Sequence, residues 1–302
     1  MSTKTYPHNK LIVILGPTAS GKSELSIELA KKFNGEVVSA DSRQIYQEMN
    51  IGTAKVTKRE MNNISHYLID IIKPNQEFTL AQFKQKAIKI IKDIQKRDKI
   101  PFLVGGTGLY IQSIVDNLDI PDVKPDKKIR SKLEKLSNQE LLSQLKKLDP
   151  ITAKSIDFHN KRRLIRALEV CLVTKKPFSK QKKKGKALHN TLQIGIGPDK
   201  KTLEQRISQR ADKMIKKGLI KEVEKILEKY KASLPSLNSI GYTEIIQYLE
   251  KKILLDQAKS LINQHSLQYA KRQITWFKRD KRIHWIQDQN QAEELINKFS
   301  KN

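Results

Sequence analysis

Short apolar runs alternate with helix-like segments along the first third of the chain. Uninterrupted apolar runs of about five residues predict buried strands, whereas longer segments with an apolar residue every three to four positions predict helices. Strands separated by helices in this way are typical of a parallel sheet with helices on both faces. The predicted strands are residues 11–15, 36–40, 67–71 and 100–104, and the predicted helices are residues 24–33 and 80–97.

The pattern changes at residue 117. Residues 117–189 are rich in lysine and leucine and show only helical periods, and their last part, residues 180–186, has no apolar period and predicts a flexible loop. The apolar run at residues 192–196 then predicts that the sheet resumes. Further helices are predicted at residues 203–217, 219–230 and 256–279, and a last strand at residues 283–286.

The loop between the first predicted strand and helix spells a phosphate-binding motif. It consists of Gly16, Pro17, Thr18, Ala19, Ser20, Gly21, Lys22 and Ser23, which fit the pattern G-x-x-x-x-G-K-[ST] of nucleotide-binding P-loops. Backbone N–H groups of such a loop surround phosphate oxygens, and the following helix directs its N-terminus at the same anion. Lys22 adds a positive charge, and the Ser23 hydroxyl can ligate Mg²⁺. A turn without a ligand is the alternative, but the flanking strand and helix favour a diphosphate or triphosphate site.

Together these patterns predict an α/β fold. Its core is a P-loop domain with a mainly parallel sheet flanked by helices, formed by residues 1–116 and 190–302. An all-helical lobe, residues 117–189, is inserted into that core. Because ligands of parallel sheets bind beyond the carboxyl ends of the strands, we expect the segments that follow the first, second and fourth strands to meet at one edge.

Two acidic residues are candidates for a catalytic role. Asp41 follows the second predicted strand, where a carboxylate can ligate magnesium through water or accept a proton from a nucleophile. The alternative is that Asp41 only caps the segment after it. Asp70 lies within the third predicted strand rather than at its end, so we predict a structural role for it.

Two arginines could serve the same cleft. Arg206 and Arg210 lie four residues apart and therefore on one face of a predicted helix. If that face looks into the cleft, one of them could neutralise charge on a departing phosphate. A solvated surface pair is the alternative.

The charge balance favours a polyanionic partner. The chain has 59 Lys+Arg against 32 Asp+Glu, a net charge of +27. Such an excess causes self-repulsion and is typical of proteins that bind nucleic acid, although lysines scattered by coding bias are the alternative. Near the C-terminus, basic residues surround Trp276 and Phe277, and this combination can hold phosphates and stack bases. The alternative is that the two aromatic side chains belong to the core.

Cysteine and hydropathy patterns exclude several classes of protein. The single cysteine, Cys171, lies in an apolar helical pattern, so we expect it in the core; it cannot form an internal disulfide, and no Cys/His cluster offers a zinc site. No apolar run approaches the ~20 residues of a membrane span, and the N-terminus lacks a signal-peptide core. We expect a cytoplasmic protein that does not associate with membranes.

Six separated segments together resemble the signature of bacterial tRNA dimethylallyltransferases, the tRNA isopentenyltransferase or IPP transferase family. They are GPTASGKS (16–23), DSRQIY (41–46), IGTAK (51–55), PFLVGGTGLY (101–110), RALEV (166–170) and KRQITW (271–276). The resemblance extends over nearly the whole chain, from about residue 10 to 286. The P-loop alone is generic, but its combination with DSRQIY and IGTAK is highly specific.

The resemblance implies a prenyl transfer. A dimethylallyl group would move from dimethylallyl diphosphate to the exocyclic N6 of the adenosine 3′ of the anticodon, in tRNAs that read codons beginning with U, and diphosphate would leave. It implies that Asp41 accepts the proton, that Thr18 contacts the bridging side of the diphosphate, and that Arg210 stabilises the leaving group. The P-loop would hold the diphosphate, with Mg²⁺ on Ser23.

The resemblance also implies which residues bind the anticodon stem-loop. Asp41, Ser42, Arg43 and Gln44 would read the target base, and the lobe at 117–189 would contact the anticodon arm. The other implied tRNA-binding residues are Thr107, Arg130, Arg162, Arg163, Leu164, Ile165, Arg166, Gly241, Tyr242, Lys271, Arg272, Trp276 and Lys278. We expect tRNA and dimethylallyl diphosphate as partners, no obligate protein partner and a monomer.

Two other classes use the same motif. A small-molecule kinase would bind ATP in the P-loop, although a net charge of +27 and a helical insertion do not suit a small neutral acceptor. A P-loop ATPase that binds RNA without transferring a group is the second alternative.

Overall fold

The computed structural model describes residues 9–121, 123, 125–181 and 183–301. Its strands are β1 (Lys10–Leu15), β2 (Gly35–Ser39), β3 (His66–Tyr67), β4 (Ile100–Gly105), β5 (Asn190–Ile196) and β6 (Ile283–Ile286). Its helices are α1 (Lys22–Lys32), α2 (Leu80–Lys96), α3 (Gly108–Val115), α4 (Lys127–Glu134), α5 (Asn138–Leu148), α6 (Pro150–Ser155), α7 (Lys161–Thr174), α8 (Phe178–Gln181), α9 (Lys200–Lys216), α10 (Leu219–Lys229), α11 (Tyr242–Leu249), α12 (Leu255–Phe277) and α13 (Gln289–Lys301).

The chain divides into two compact units. Met1–Ile114 and Leu188–Asn302 form the first, which we call the sheet unit, and Val115–Ala187 form the second, which we call the helical unit.

The sheet unit is built on strands in the order β3-β2-β4-β1-β5-β6, and every pairing between these described strands is parallel. The prediction of an α/β fold with a mainly parallel sheet is therefore confirmed. β1 lies inside the sheet, with Val13 opposite both Leu103 and Gln193, and Leu11–Leu15 are completely buried. A strand covered on both faces requires a continuous apolar run, which is what the sequence has there.

The third predicted strand is wrong in extent. The structure contains a strand only at His66–Tyr67, because Leu68 and Asp70 adopt left-handed φ values of 62° and 55°, which end the extended backbone. Asp70 then accepts a hydrogen bond at 2.5 Å from the buried Lys55. This ion pair supports the predicted structural role of Asp70, although the residue lies in a bend rather than within a strand.

One face of the sheet packs against α1 and α13. Ile12 and Ile14 of β1 belong to a buried cluster with Leu29 of α1 and Ile296 of α13. A second cluster, formed by α9 to α12 and residues 45–49, surrounds Leu219 and Tyr242. These clusters fix the frame from which the loops at the carboxyl edge of the sheet project.

A carboxylate fastens the loop at residues 50–52 to α10. Glu222 accepts hydrogen bonds from the backbone N–H groups of Asn50 (3.0 Å), Ile51 (2.8 Å) and Gly52 (3.1 Å), and from the Tyr242 hydroxyl at 2.7 Å. The Tyr242 ring also lies against Gly52, where a Cβ atom would stand 2.3 Å from the ring. Tyr242 is completely buried.

The helical unit has its own apolar core. Leu141 and Leu145 of α5 pack with Leu164 and Leu168 of α7, and Cys171 is buried among them as predicted. Of the segment predicted as a flexible loop, 180–186, the first two residues belong to α8; farther along, Asp119 donates to Lys183 O (2.8 Å) and Gly185 donates to Asn117 O (3.2 Å). Lys182 of that segment lies outside the described residues.

A buried carboxylate joins α4 and α7 within the helical unit. Glu169, whose side chain is 0% exposed, accepts two hydrogen bonds from Arg130 (2.7 and 2.8 Å) and one from Arg166 (2.6 Å). Burial opposes the charge, but these arginines and the N–H group of Asp126 outweigh it and lower the pKa of Glu169 from 4.5 to about 2.

We predict that Glu169→Gln lowers the free energy of unfolding at pH 7 by about 1.5–3 kcal/mol, the range for charged hydrogen bonds. Because the folded-state pKa is depressed, this stabilisation is complete above pH 4.5 and is lost as the pH falls towards 2. Urea unfolding at a series of pH values should therefore show a shallower loss of stability below pH 4.5 for the variant. The exposed Glu134→Gln on α4 is the control, and an identical pH profile for both variants would contradict the assignment.

Candidate active site at the P-loop

The P-loop follows β1 and precedes α1, as the motif requires. Gly21 has a φ of 89°, which only glycine adopts easily, and a Cβ atom at Gly16 would lie 2.6 Å from the Ile196 carbonyl oxygen. No side chain caps the N-terminus of α1, so its first N–H groups are available to an anion. The Ser20 hydroxyl is buried and has no hydrogen-bond partner among the described residues, which suits a site completed by a ligand.

A cavity of about 1050 Å³ opens beside this loop in the sheet unit. Its polar lining includes Thr18, Lys22, Asp41 and Arg210. Its apolar lining includes Ile207, Ala211, Met214, Ile240 and Ile262. The cavity is therefore large enough for two ligands, one anionic and one with an apolar or planar part.

Positive charge is concentrated on the polar side of the cavity. Lys22 is partly exposed, but it lines the cavity and donates to the Pro17 carbonyl at 3.0 Å. The pKa of Lys22 is lowered to about 8: burial is the main cause, the charge of Asp41 opposes the shift, and the charge of Arg210 adds to it. Burial likewise lowers the pKa of Arg210, against the opposing charge of Asp41. An anion in this cavity would relieve the repulsion between the two cations.

Both arginines of α9 contact the P-loop. Arg210 donates to the Thr18 hydroxyl, and Arg206 donates to the Ser20 carbonyl at 3.2 Å. The face they share thus looks towards the P-loop, and neither side chain is merely solvated.

The two oxygens of the Asp41 carboxylate differ in their hydrogen bonds. Oδ1 accepts hydrogen bonds from the N–H groups of Arg43 (2.8 Å) and Gln44 (3.4 Å), so Asp41 does cap the turn after it. Oδ2 has no hydrogen-bond partner within the described part of the chain. The capping role and a proton-accepting role are therefore compatible, because they use separate atoms.

The residues around Asp41 are held by neighbouring loops. Ser42 donates its N–H to the Thr107 hydroxyl at 3.1 Å, which joins the loops after β2 and β4. The Gln44 side chain donates to Ala54 O at 3.2 Å. Arg43 donates to the carbonyls of Pro235, Ser236 and Asn238 at 3.2–3.3 Å. The guanidinium of Arg43 is therefore occupied within the chain itself.

The predicted RNA-binding residues of the helical unit fall into three groups. Arg162 and Arg163 are exposed. Arg130 and Arg166 are partly exposed but bind Glu169. The side chains of Leu164 and Ile165 lie in the apolar core, at 0% and 7% exposure, and so pack inside the unit rather than at its surface. The sequence motif predicted α7 as an RNA-binding helix. The exposure of each side chain then separates the residues at its surface from those packed in the core.

The predicted RNA-binding residues of the sheet unit also differ in exposure. Lys271, Arg272 and Lys278 are exposed on or just after α12. Trp276 is half-buried over Gly108, where a Cβ atom would lie 2.4 Å from the ring. Gly241 has a φ of 95° and is the N-cap residue of α11, and Tyr242, the first residue of that helix, is buried. Lys271, Arg272 and Lys278 can meet a phosphate backbone, but the Tyr242 side chain is enclosed.

Sequence reasoning missed three polar side chains on α12. His265, Tyr269 and Gln273 are four residues apart and all line the cavity. His265 Nδ1 lies 2.6 Å from the buried Glu244, and burial, assisted by the charge of Asp41, raises the pKa of Tyr269 to about 12. The signal in the sequence was the spacing of four residues between these polar side chains, which places them on one face of a predicted helix.

Known proteins resemble this chain over most of its length. A family model described as IPP transferase matches residues 44–280. The tRNA dimethylallyltransferase of Carboxydothermus hydrogenoformans is 46% identical over 294 residues, which cover 95% of this chain and 94% of that protein. The chain belongs to the IPP transferase family. This confirms the family predicted from the sequence.

Solved structures of family members have the same fold. The tRNA isopentenylpyrophosphate transferase of Bacillus halodurans gives a TM-score of 0.72 at 38% identity and covers 96% of this chain and 95% of that one. A eukaryotic dimethylallyltransferase acting on tRNA gives a TM-score of 0.77 at 31% identity, covering 89% of this chain and 69% of that one. The P-loop precedes the residues matched by the family model, but the likeness to both structures covers most of the chain.

Helix hydropathy and the placement of possible metal ligands bear on whether the described residues include a membrane span or a metal site. None of the described helices is long and apolar enough to cross a membrane. The described residues also contain no group of three or more His, Cys, Asp or Glu side chains placed to hold a metal ion.

We predict that the affinity for inorganic diphosphate falls as the pH rises above about 8, because Lys22 then loses its proton in the free protein. Bound diphosphate favours the charged lysine, so binding above this pH must take up a proton. Lys22→Arg should bind with a flatter pH profile, since arginine stays charged. Calorimetric titration of both proteins from pH 6.5 to 9.5 separates this effect from the ionisation of diphosphate itself, which both share. Parallel profiles would contradict the prediction.

Proposed function

We propose that this chain transfers the dimethylallyl group of dimethylallyl diphosphate to the exocyclic N6 of the adenosine 3′ of the anticodon, in tRNAs that read codons beginning with U. The products are N6-(dimethylallyl)adenosine and diphosphate. The observation that carries the proposal is one cavity lined by a P-loop, two cationic side chains and a carboxylate oxygen that has no hydrogen-bond partner among the described residues. Membership of the IPP transferase family supports the same assignment.

The donor fits the polar end of the cavity. The P-loop N–H groups and Lys22 would hold the diphosphate, and Arg210, which contacts Thr18, would lie beside the bridging oxygen. As the bond between the prenyl carbon and that oxygen breaks, the oxygen keeps the electron pair and negative charge grows on the diphosphate. Fixed donors aimed at this charge stabilise the transition state more than the ground state.

The acceptor fits beside Asp41. The N6 amine of adenine is a weak nucleophile because its lone pair is delocalised into the ring. It forms a bond to the prenyl carbon and loses a proton, which Asp41 Oδ2 would accept while Oδ1 keeps its hydrogen bonds to the backbone. The target base must leave its stack to enter the cavity. Ser42, Thr107 and Gln44 would contact it there.

Mg²⁺ would be shared with the donor rather than held by the protein alone. Ser23 lines a second small cavity of about 20 Å³ and would be the protein ligand, whereas Asp41 Oδ2, which accepts the proton, would not bind the ion directly. Mg²⁺ usually keeps several waters and binds through one or two protein ligands together with substrate phosphates, which this donor set fits. Bound there, the ion would neutralise charge on the departing diphosphate.

The partners and setting follow from the same reaction. We propose that the chain acts as a monomer in the cytoplasm, where it meets tRNA, and that the helical unit contacts the anticodon arm. The exposed arginines Arg162 and Arg163 support this role for the helical unit.

Labelled dimethylallyl diphosphate with bulk tRNA, run beside labelled ATP, tests the proposal. Transfer of the prenyl label to tRNA is the expected result. Transfer of phosphate from ATP would indicate a kinase, and ATP hydrolysis without transfer would indicate an RNA-binding ATPase.

Within that assay we predict that Asp41→Asn lowers the transfer rate at least 100-fold, in the range for loss of a general base. The asparagine oxygen can still accept the hydrogen bonds of Arg43 and Gln44, so the fold and tRNA affinity should not change. Asp212→Asn, an exposed carboxylate two residues from Arg210, is the control. If the Asp41 variant keeps more than about a third of the wild-type rate, Asp41 is not the base.

We also predict that specific cations contact tRNA phosphates. Replacing Arg162, Arg163, Lys271 and Lys278 with glutamine should reduce the slope of log affinity against log salt by roughly one unit for each phosphate that is no longer neutralised. The control replaces the exposed α2 residues Lys86, Lys89, Lys92 and Lys96. Fluorescence anisotropy with labelled tRNA at 50–300 mM salt, a range chosen to resolve the slope, measures both sets. Equal reductions from the two sets would mean that the tRNA responds only to net charge.

A further inference from the structure

Gln273 contacts two of the loops that form the site, those that follow β1 and β4. It belongs to α12, it is only 6% exposed, and it lines the cavity beside Tyr269 and Arg272. A buried amide must find hydrogen-bond partners, because leaving either end unpaired costs stability. The hydrogen-bond partners of the Gln273 amide therefore show which parts of the site this side chain holds together.

Both ends of the amide bind backbone groups of the site. Oε1 accepts the N–H of Thr18 at 2.8 Å, and Nε2 donates to the carbonyl of Gly106, also at 2.8 Å. Thr18 belongs to the P-loop after β1, and Gly106 belongs to the loop after β4. One side chain from a helix thus bridges two loops that the sheet places side by side.

The fit between these groups leaves no free space. A Cβ atom at Gly106 would stand 2.2 Å from Gln273 Nε2 and 3.2 Å from the Gly16 carbonyl oxygen. Any residue other than glycine would therefore displace the amide, so the separation between the two loops is set by the length of one glutamine.

Each bridged loop carries one side of the proposed reaction. On the donor side, Thr18 also binds Arg210. On the acceptor side, Gly106 precedes Thr107, whose hydroxyl accepts the Ser42 N–H (3.1 Å) and whose own N–H donates to Ala40 O (3.3 Å). Ala40 and Ser42 flank Asp41. Hydrogen bonds and the short backbone segments between them therefore connect the phosphate-binding loop, through Gln273, to the residues on either side of Asp41.

We infer that Gln273 is a positioning residue that sets the distance between the bound diphosphate and Asp41. This inference rests on the proposed prenyl transfer. Gln273 would not take part in binding tRNA; it would align the loop that holds the donor with the loops that hold the base. A misplacement of about 1 Å between reacting groups can lower a rate about 100-fold, so loss of the bridge should act on the rate even when both substrates are bound.

Gln273→Met tests this inference, since methionine has a similar length but makes neither hydrogen bond. We expect the single-turnover transfer rate at saturating dimethylallyl diphosphate and tRNA to fall 10- to 100-fold, with tRNA affinity within twofold of wild type. Gln264→Met, an exposed site on the same helix, is the matched control and should keep the wild-type rate. Rates are compared per folded molecule, well below each melting temperature. A Gln273→Met rate within twofold of wild type at saturation would overturn the inference.

Gly106→Ala perturbs the same contact from the other side and leaves the glutamine in place. It should lower the saturated rate as well, and the double variant should be no slower than the slower single variant, because both changes break one bridge. Rate reductions that multiply would overturn the inference, as would a wild-type rate in Gly106→Ala if Gln273→Met does not fold. A wild-type chain that transfers no prenyl group would refute the proposed function and the inference together, whereas transfer that is insensitive to these variants refutes the inference alone.

Discussion

The position of β1 inside a parallel sheet is the constraint on which the rest of the sheet unit depends. Parallel strands all end at the same edge, so the loops that follow β1, β2 and β4 must lie side by side there. The close approach of Gly16 to the backbone of β5 and of Gly105 to Ala40 shows how little space separates them. A phosphate-binding loop, a carboxylate and a threonine hydroxyl that lie far apart in the sequence are thereby brought to one cavity.

Within that cavity, electrostatics are arranged for an anion that the folded chain itself does not supply. Burial lowers the pKa values of both Lys22 and Arg210, and Asp41 compensates only in part; the charge of Arg210 also lowers the pKa of Lys22. This unfavourable arrangement is typical of binding sites, where the ligand supplies the missing charge. In the proposed reaction the same charges would stabilise the leaving diphosphate most when its negative charge is greatest, so binding and catalysis would use the same groups.

Carboxylates that are buried or joined to backbone N–H groups hold the elements around the site. Glu222 collects three backbone N–H groups of the loop at 50–52, and Glu36 binds Arg97, which lowers the pKa of Glu36 to about 2. Glu244 accepts the N–H of Gly241 at 2.7 Å and also contacts His265, and so joins the start of α11 to α12. These carboxylates connect separate elements, because one carboxylate can satisfy several donors at once.

The sequence by itself determined the sheet strands that are continuous apolar runs, the P-loop and the family, because each of these is encoded by neighbouring residues. It also proposed Asp41 and Arg210 as candidates, which line one cavity in the structure, since a position after a strand and a spacing of four are local signals. It could not determine that the third strand stops at Tyr67, that Leu164 and Tyr242 are enclosed, or that Gln273 bridges two loops. Those features depend on contacts between residues up to 255 positions apart, such as Thr18 and Gln273, and only the packing of the tertiary structure decides which distant groups meet.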